Sequence, residues 1–445
     1  MYPDESELRG RMPVSNVLLW FFAMWPLFWT LWTCIRITAA ISPYIPALVL
    51  VVLGFVSFFV CGKLRMSFLF VWTFFIVAAM LSALRGMTKV GISDILIIFC
   101  GVLFCYGMQR TSFDPSIIFR CIYACGMFVS ITVIIDAVTN IFSTKLLSLY
   151  TSNSQEVLRK RLTGIATGGI VTQTSGAGCF ICAALGVYCL VLFNKKARLK
   201  NIFVLSVLLV SYVLLLKRGF ILFMIAAGFV VLLCERKRRF SLRVKHKKIF
   251  RIVSAFLLLL LVAIVLYKML PLVRDKVDAL VSRFTEEDET LSGRTTLYAL
   301  AYDLFKTNPV FGIGWGMFRG QTQNIFGSSY TNTYEVHNVY LQLLCETGII
   351  GVIAFLAAVS VTLLVSIKKY RCLVLSGVRT KVYYACRLGI YLQVFFLAYC
   401  VTGNPLYDYN HLIMYFIGVV LSVSKGQMSF VTGGLKGEDR NSDIL

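Results

Sequence analysis

Apolar residues in this chain come in long runs separated by short polar punctuation. This is neither the alternation of a half-buried strand nor the one-faced stripe of a surface helix. Twelve runs fall near 14–35, 44–62, 67–84, 90–108, 117–140, 170–193, 201–216, 219–234, 250–270, 337–366, 383–402 and 405–424. Several reach the roughly 17–25 residues that a helix needs to cross about 30 Å of hydrocarbon. The run at 337–366 is long enough to tilt or protrude. The pattern predicts an all-α polytopic membrane protein of about twelve membrane helices, one integral membrane domain over 1–445, with no internal repeat.

Two intervening segments are long, 141–169 and 271–336, the larger lying between the ninth and tenth helices. Within the larger, Leu272, Val273, Lys276, Val277, Leu280, Val281 and Phe284 recur at helical spacing and predict an interfacial amphipathic helix. The acidic run Glu286 to Glu289 follows, and then Ser292 as the expected N-cap of a helix over 293–307, ended by Asn308-Pro309. Gly312, Gly314 and Gly316 predict an irregular turn; with no preceding strand, their spacing does not make a nucleotide loop.

Composition agrees with burial in a bilayer: 58% of the 445 residues are hydrophobic and the mean hydropathy is +0.79. The net charge of +23 would suit a nucleic-acid partner, but the basic residues sit in short blocks between apolar runs, the arrangement of cytoplasmic loops, and no nucleic acid is expected. The heaviest block runs from Arg236 to Lys248, and others include Lys195 to Lys200 and Lys368 to Lys381. Arg36, Arg85, Lys89 and Lys217-Arg218 are the few cations in the opposite short loops. Both termini are therefore expected in the cytoplasm, with 271–336 on the outer face. Fourteen cysteines are scattered, mostly within apolar runs, and neither a disulfide framework nor a metal site is predicted.

Three outward polar residues have physical reasons to be reactive. Arg218 sits in a tight turn between two short apolar runs, at a depth where charge needs a protein-lined or wet cavity. Arg294, near the expected helix start, would join guanidinium to free amides as an anion site. His337 opens the tenth helix, where the helix dipole disfavours imidazolium, so a neutral base is expected. Arg159, Arg161 and Arg319 are further candidate anion contacts.

The string Ser292-Gly293-Arg294, Asn308-Pro309-Val310-Phe311-Gly312-Ile313-Gly314, then His337-Asn338 through Leu341, Leu344, Glu346, Gly348 and Gly351, with Arg218-Gly219 upstream, resembles the core of the O-antigen ligase and O-antigen and capsular polysaccharide polymerase superfamily. The resemblance is carried by residues 200–365. It implies a GT-C-like, metal-independent, inverting glycosyltransferase of the bacterial inner membrane, using no cofactor. The implied donor is an oligosaccharide on undecaprenyl diphosphate. The implied acceptor is a lipid-linked glycan for a polymerase, working beside a chain-length regulator, or lipid A-core or protein for a ligase. By the same resemblance Arg218 and Arg294 bind the diphosphate and His337 deprotonates the acceptor hydroxyl. The stretch Arg161 to Gln173 departs from the asparagine and proline content usual in that region of relatives, which leaves the ligase subgroup open. A twelve-helix secondary transporter is the alternative of another class, but Arg120, Asp136 and Arg387 fall near helix ends rather than centres.

Overall fold

A computed structural model describes residues 13–61, 67–109, 111–162, 167–193, 198–215, 217–235, 289–326, 335–377 and 379–423, together with Lys268, Arg274 and Asp278. The expected ninth membrane helix, the basic block 236–248 and most of the amphipathic segment 272–284 lie outside the described residues. Within that last segment Arg274 and Asp278 are helical and pair at 3.9 Å, one turn apart.

The described chain is helical, as the apolar runs predict. In order come α1 (Val14–Cys34), α2 (Ile45–Val56), α3 (Val71–Ala83), α4 (Lys89–Met108), α5 (Ser116–Thr139), α6 (Ser152–Leu162), α7 (Thr174–Val187), α8 (Arg198–Leu214) and α9 (Arg218–Glu235). They are followed by α10 (Glu289–Thr307), α11 (Phe318–Phe326), α12 (Val339–Ser376), α13 (Lys381–Tyr399) and α14 (Tyr409–Val423). Seven are long and apolar enough to span a membrane, and four shorter apolar helices accompany them. The protein is a polytopic membrane protein.

The hub is α14. Every residue from Asn410 to Ser422 is buried, and the helix packs on α13, α1, α4, α12 and α7. At the periphery, Leu222, Ile225, Phe229 and Leu232 of α9 and Ile202 and Phe203 of α8 are exposed. Large apolar side chains on an outer surface are what lipid tails require.

Segments given one sidedness by charge gather at one end. Arg85 Nη1 reaches Asn308 Oδ1 at 2.9 Å, Met87 bridges Trp315, and Thr151 N donates to Cys34 O at 2.9 Å. Val339 N donates to Cys400 O at 2.9 Å. At the opposite end Lys381 pairs with Asp114 at 3.3 Å and Arg387 with Glu235 at 3.5 Å.

Several expectations are corrected. Helix α10 spans Glu289–Thr307, so Ser292 lies inside it and is not its N-cap. Helix α12 runs to Ser376, carrying Lys368, Lys369 and Arg371 on a helix rather than in a loop. Its start is Val339, capped by Asn338, whose Oδ1 accepts from Leu341 N at 3.1 Å. The segment 141–169 contains α6, held by a small core of Phe142, Tyr150 and Leu158.

Candidate functional site

The site is built on two irregular junctions of α12. At the first, Gly348 interrupts the helix with φ +65° and ψ −169°. The turn after Asn308-Pro309 fills the gap. Ile313 N and Gly314 N donate to Cys345 O and Glu346 O at 3.0 and 3.1 Å, while Ile349 N and Ile350 N donate to Pro309 O and Val310 O at 2.9 and 3.5 Å. The groups a helix break would orphan are thus satisfied by the loop. The approach is so close that a Cβ on Gly348 would stand 2.3 Å from Val310 O, and one on Gly312 the same distance from Glu346 O.

The second junction is His337. Its φ is +59°, the left-handed region that non-glycine residues seldom occupy and that costs of order 1 kcal/mol. Neighbours hold it there: Val336 is fully buried with its N–H on Gln342 Oε1 at 3.3 Å, and Val339 N is tied to the end of α13. The residue as a whole is exposed, while its ring is packed closely enough for desolvation to act on it. It stands outside α12, preceding the cap, so the helix dipole is not the main cause of its proton affinity. Desolvation pushes its pKa below the ordinary 6.5, and the nearby Arg294 and Lys217 push it the same way, while Glu335 opposes them. The expected direction holds, from a different cause.

His337 lines a cavity of about 570 Å³. Its walls come from α1 (Trp29 to Cys34), the turn and start of α7 (Val171 to Gly176), Arg319 and Glu335, and the stretch Tyr399 to Asn410. Thr172, beside the wall, is a second left-handed non-glycine residue, with φ +62°. Its hydroxyl lies 3.6 Å from Cys34 Sγ.

The cationic candidates divide. Arg294 is exposed on α10 and, with Lys217, within electrostatic range of His337. Arg218 starts α9 and is half-buried; the turn is pinned by Tyr212, whose hydroxyl donates to Lys217 O, and a Cβ on Gly219 would stand 3.9 Å from Thr402 Oγ1. Arg218 borders the cavity region without lining it. Arg319 lines the cavity, but its guanidinium is engaged with Glu335, with Nε to Oε1 at 3.0 Å, and lies over the Tyr407 ring at 5.7 Å. Burial opposes its charge, yet Glu335 and Asp94 hold it firmly protonated. It acts as a strut rather than an open anion contact. Arg159 is exposed on α6 and does not line the cavity; Arg161 lies on the same helix.

Sequence reasoning passed over the string Gly403-Asn404-Pro405-Leu406-Tyr407-Asp408-Tyr409-Asn410-His411, which supplies the cavity floor. Asn404 Nδ2 donates to Glu335 Oε2 at 2.6 Å, Tyr407 to Glu346 Oε2 at 2.8 Å and Tyr409 to Asp94 Oδ1 at 2.7 Å. Asp408 Oδ2 stands 2.9 Å from His411 Nδ1. The expected last run, 405–424, is corrected here: α14 begins only at Tyr409, and the available signal was the polar and aromatic head of that run, where Asp408 and Asn410 break its apolar character.

Residues 203–356 match the profile of the O-antigen ligase family. This part of the chain is similar to the O-antigen ligase and polymerase superfamily. The matched stretch is roughly a third of the chain and contains Arg218, Arg294, both junctions of α12 and His337. A search among curated proteins finds no match. The family assigns a glycosyl-transferring membrane enzyme, with a lipid-linked glycan donor and an acceptor in the membrane.

Proposed function

We propose that the protein moves a glycan from an undecaprenyl-diphosphate donor to an acceptor hydroxyl on the outer face of the cytoplasmic membrane, joining repeat units of an O-antigen, capsule or exopolysaccharide. The observation that carries this reading is His337, held left-handed at the mouth of a polar cavity with its proton affinity lowered beside Arg294 and Lys217. A neutral imidazole takes the proton of the acceptor hydroxyl as its oxygen attacks the anomeric carbon. The bond from that carbon to the diphosphate oxygen breaks, and the leaving diphosphate is stabilised by Arg218 and Arg294. Attack opposite the leaving group inverts the anomeric carbon. These cations supply the charge that a metal ion would otherwise bring, so the reaction is read as metal-independent. Loss of activity on chelation, restored by magnesium or manganese, overturns that part. GT-C-like architecture with twelve membrane helices and cytoplasmic termini belongs to the same reading.

Transfer to lipid A-core is the second reading, favoured by the description of the matched family. The deciding experiment supplies purified full-length protein with lipid-diphosphate glycan and either a second lipid-linked repeat or lipid A-core. Chain extension supports polymerisation, capping of lipid A-core supports ligation, and transfer to neither acceptor overturns both.

A further inference from the structure

Aromatic rings and side-chain amides make up much of the cavity wall, beside hydroxyls and the carboxylates of Glu335 and Asp408. Trp29 of α1 is half-exposed there, braced edge-on by Tyr409 with ring centroids 4.8 Å apart and planes at 78°. Tyr409 is in turn fixed by Asp94. Stacked on Trp25 with centroids 5.3 Å apart, the half-buried indole has one face left for a ligand, suited to the C–H face of a sugar ring.

Two amides flank it. Asn404 is 7% exposed and gives its Nδ2 to Glu335. An ionised carboxylate only accepts, so the amide orientation is fixed and Oδ1 is the remaining atom. That oxygen has no hydrogen-bond partner among the described residues. Leaving a buried acceptor unsatisfied costs about 1–3 kcal/mol, which a donating ligand hydroxyl would offset. Asn410, 8% exposed, is the complement: its Oδ1 lies 3.0 Å from Thr30 Oγ1, whose one proton is shared with Pro26 O at 2.9 Å, and its Nδ2 lies on the side of Gly176, where an added Cβ would be 3.5 Å from it. Glu335 is paired with Arg319, and Asp408 Oδ2 stands 2.9 Å from His411 Nδ1, so neither carboxylate faces the cavity without a partner.

We propose that this wall is the acceptor subsite for an uncharged sugar ring, stacked on Trp29, with adjacent hydroxyls donating to Asn404 Oδ1 and accepting from Asn410 Nδ2. The proposal rests on the transfer reading above and names its acceptor chemistry. Ring hydroxyls both donate and accept, which matches this acceptor–donor pair, and carboxylates that already have partners favour a neutral ring.

The test uses the detergent-purified full chain and, as probe, the oligosaccharide repeat released by mild acid from the cells' own lipid-linked intermediate. Wild type should bind it saturably at millimolar concentration. Trp29→Ala and Asn404→Ala should each weaken binding about tenfold, the scale of one lost stacking contact or buried hydrogen bond. Trp29→Phe should recover most of it, and Trp20→Phe, a change on the exposed face of α1, should bind as wild type. Should Asn404→Ala fail to fold, the Trp29 pair decides. No wild-type binding, or equal binding by Trp29→Ala, overturns the subsite. Transfer assays on the same preparations separate the two ideas. Transfer with an unchanged acceptor KM in Trp29→Ala overturns the subsite and leaves the transfer reading standing. Oligosaccharide binding without any transfer overturns the transfer reading and leaves the subsite.

Discussion

About three turns apart, Gly348 inside α12 and His337 just ahead of its cap both carry positive φ, and they do so to opposite ends. At Gly348 the irregularity belongs to a residue that adopts it freely, and four backbone hydrogen bonds tie the break to the turn 309–314. At His337 it belongs to a residue that resists it, and the side chain so displayed opens onto a cavity. One junction makes the bundle continuous with its large loop; the other uses that continuity to hold a strained residue in place. Residues that look alike as motif letters therefore divide into scaffold and chemistry.

The sharpest way to break this contrast is at His337. His337→Gly suits the left-handed backbone and should leave the thermal midpoint no lower than wild type, while turnover falls roughly 100- to 10,000-fold, the worth of a general base. Thermal scans in detergent together with single-turnover transfer check both halves; wild-type turnover would remove the histidine from the chemistry.

Gly348→Ala should do the reverse. A Cβ 2.3 Å from Val310 O, at φ +65°, forces the turn out of the helix. A cost of about 3 kcal/mol follows from strain and clash together. The expected readout is a lower thermal midpoint and poorer yield of monodisperse protein, with whatever folds still turning over. An unchanged midpoint would mean that the splice is not structural.

Arg319 tests which class a cavity-lining cation belongs to. Arg319→Ala strands Glu335, and because the pair is partly open to solvent the loss should be about 2 kcal/mol rather than the full penalty of a buried pair. Donor affinity should fall less than in Arg218→Lys or Arg294→Lys, where the bidentate fork is lost. Equal loss of donor affinity in Arg319→Lys would return it to the anion site.

The smallest expected effect is in pH. In the proposed mechanism His337 works as the neutral form, and its pKa lies below 6.5, so turnover should rise with pH through that lowered value and then level off. Arg294→Ala removes a cation that disfavours imidazolium, so the acid limb should move to higher pH. Glu335→Gln removes a carboxylate that favours it, so the limb should move lower. A pH–rate profile in which both variants shift the same way would refute this electrostatic picture.

Much of this was legible in the chain. Membrane helices need long apolar runs, and eleven of the twelve anticipated runs are helices among the described residues, with the twelfth outside them. His337, Arg218, Arg294 and the glycine turn stood out because charge, or glycine, beside apolar runs is costly without a reason. What escaped was set by tertiary context. Arg319 reads as a free cation until Glu335 is brought against it, and Ser292 reads as a cap until α10 is found to span Glu289–Thr307. Asn404 and Asn410 are ordinary loop and cap letters; only α1, distant in sequence, gives them a wall to share.

The cavity also has a lineage of its own. Its indole and threonines come from α1 and its amides from the approach to α14, both beyond the matched stretch 203–356, whereas His337 lies within it. A chimera that replaced only residues 203–356 with those of another family member would exchange His337, Arg319 and Glu335 and keep the part of the wall built by α1 and by residues 404–410. Such a hybrid should inherit its rate from the insert and its choice of partner sugar from the host, so the two traits can drift independently.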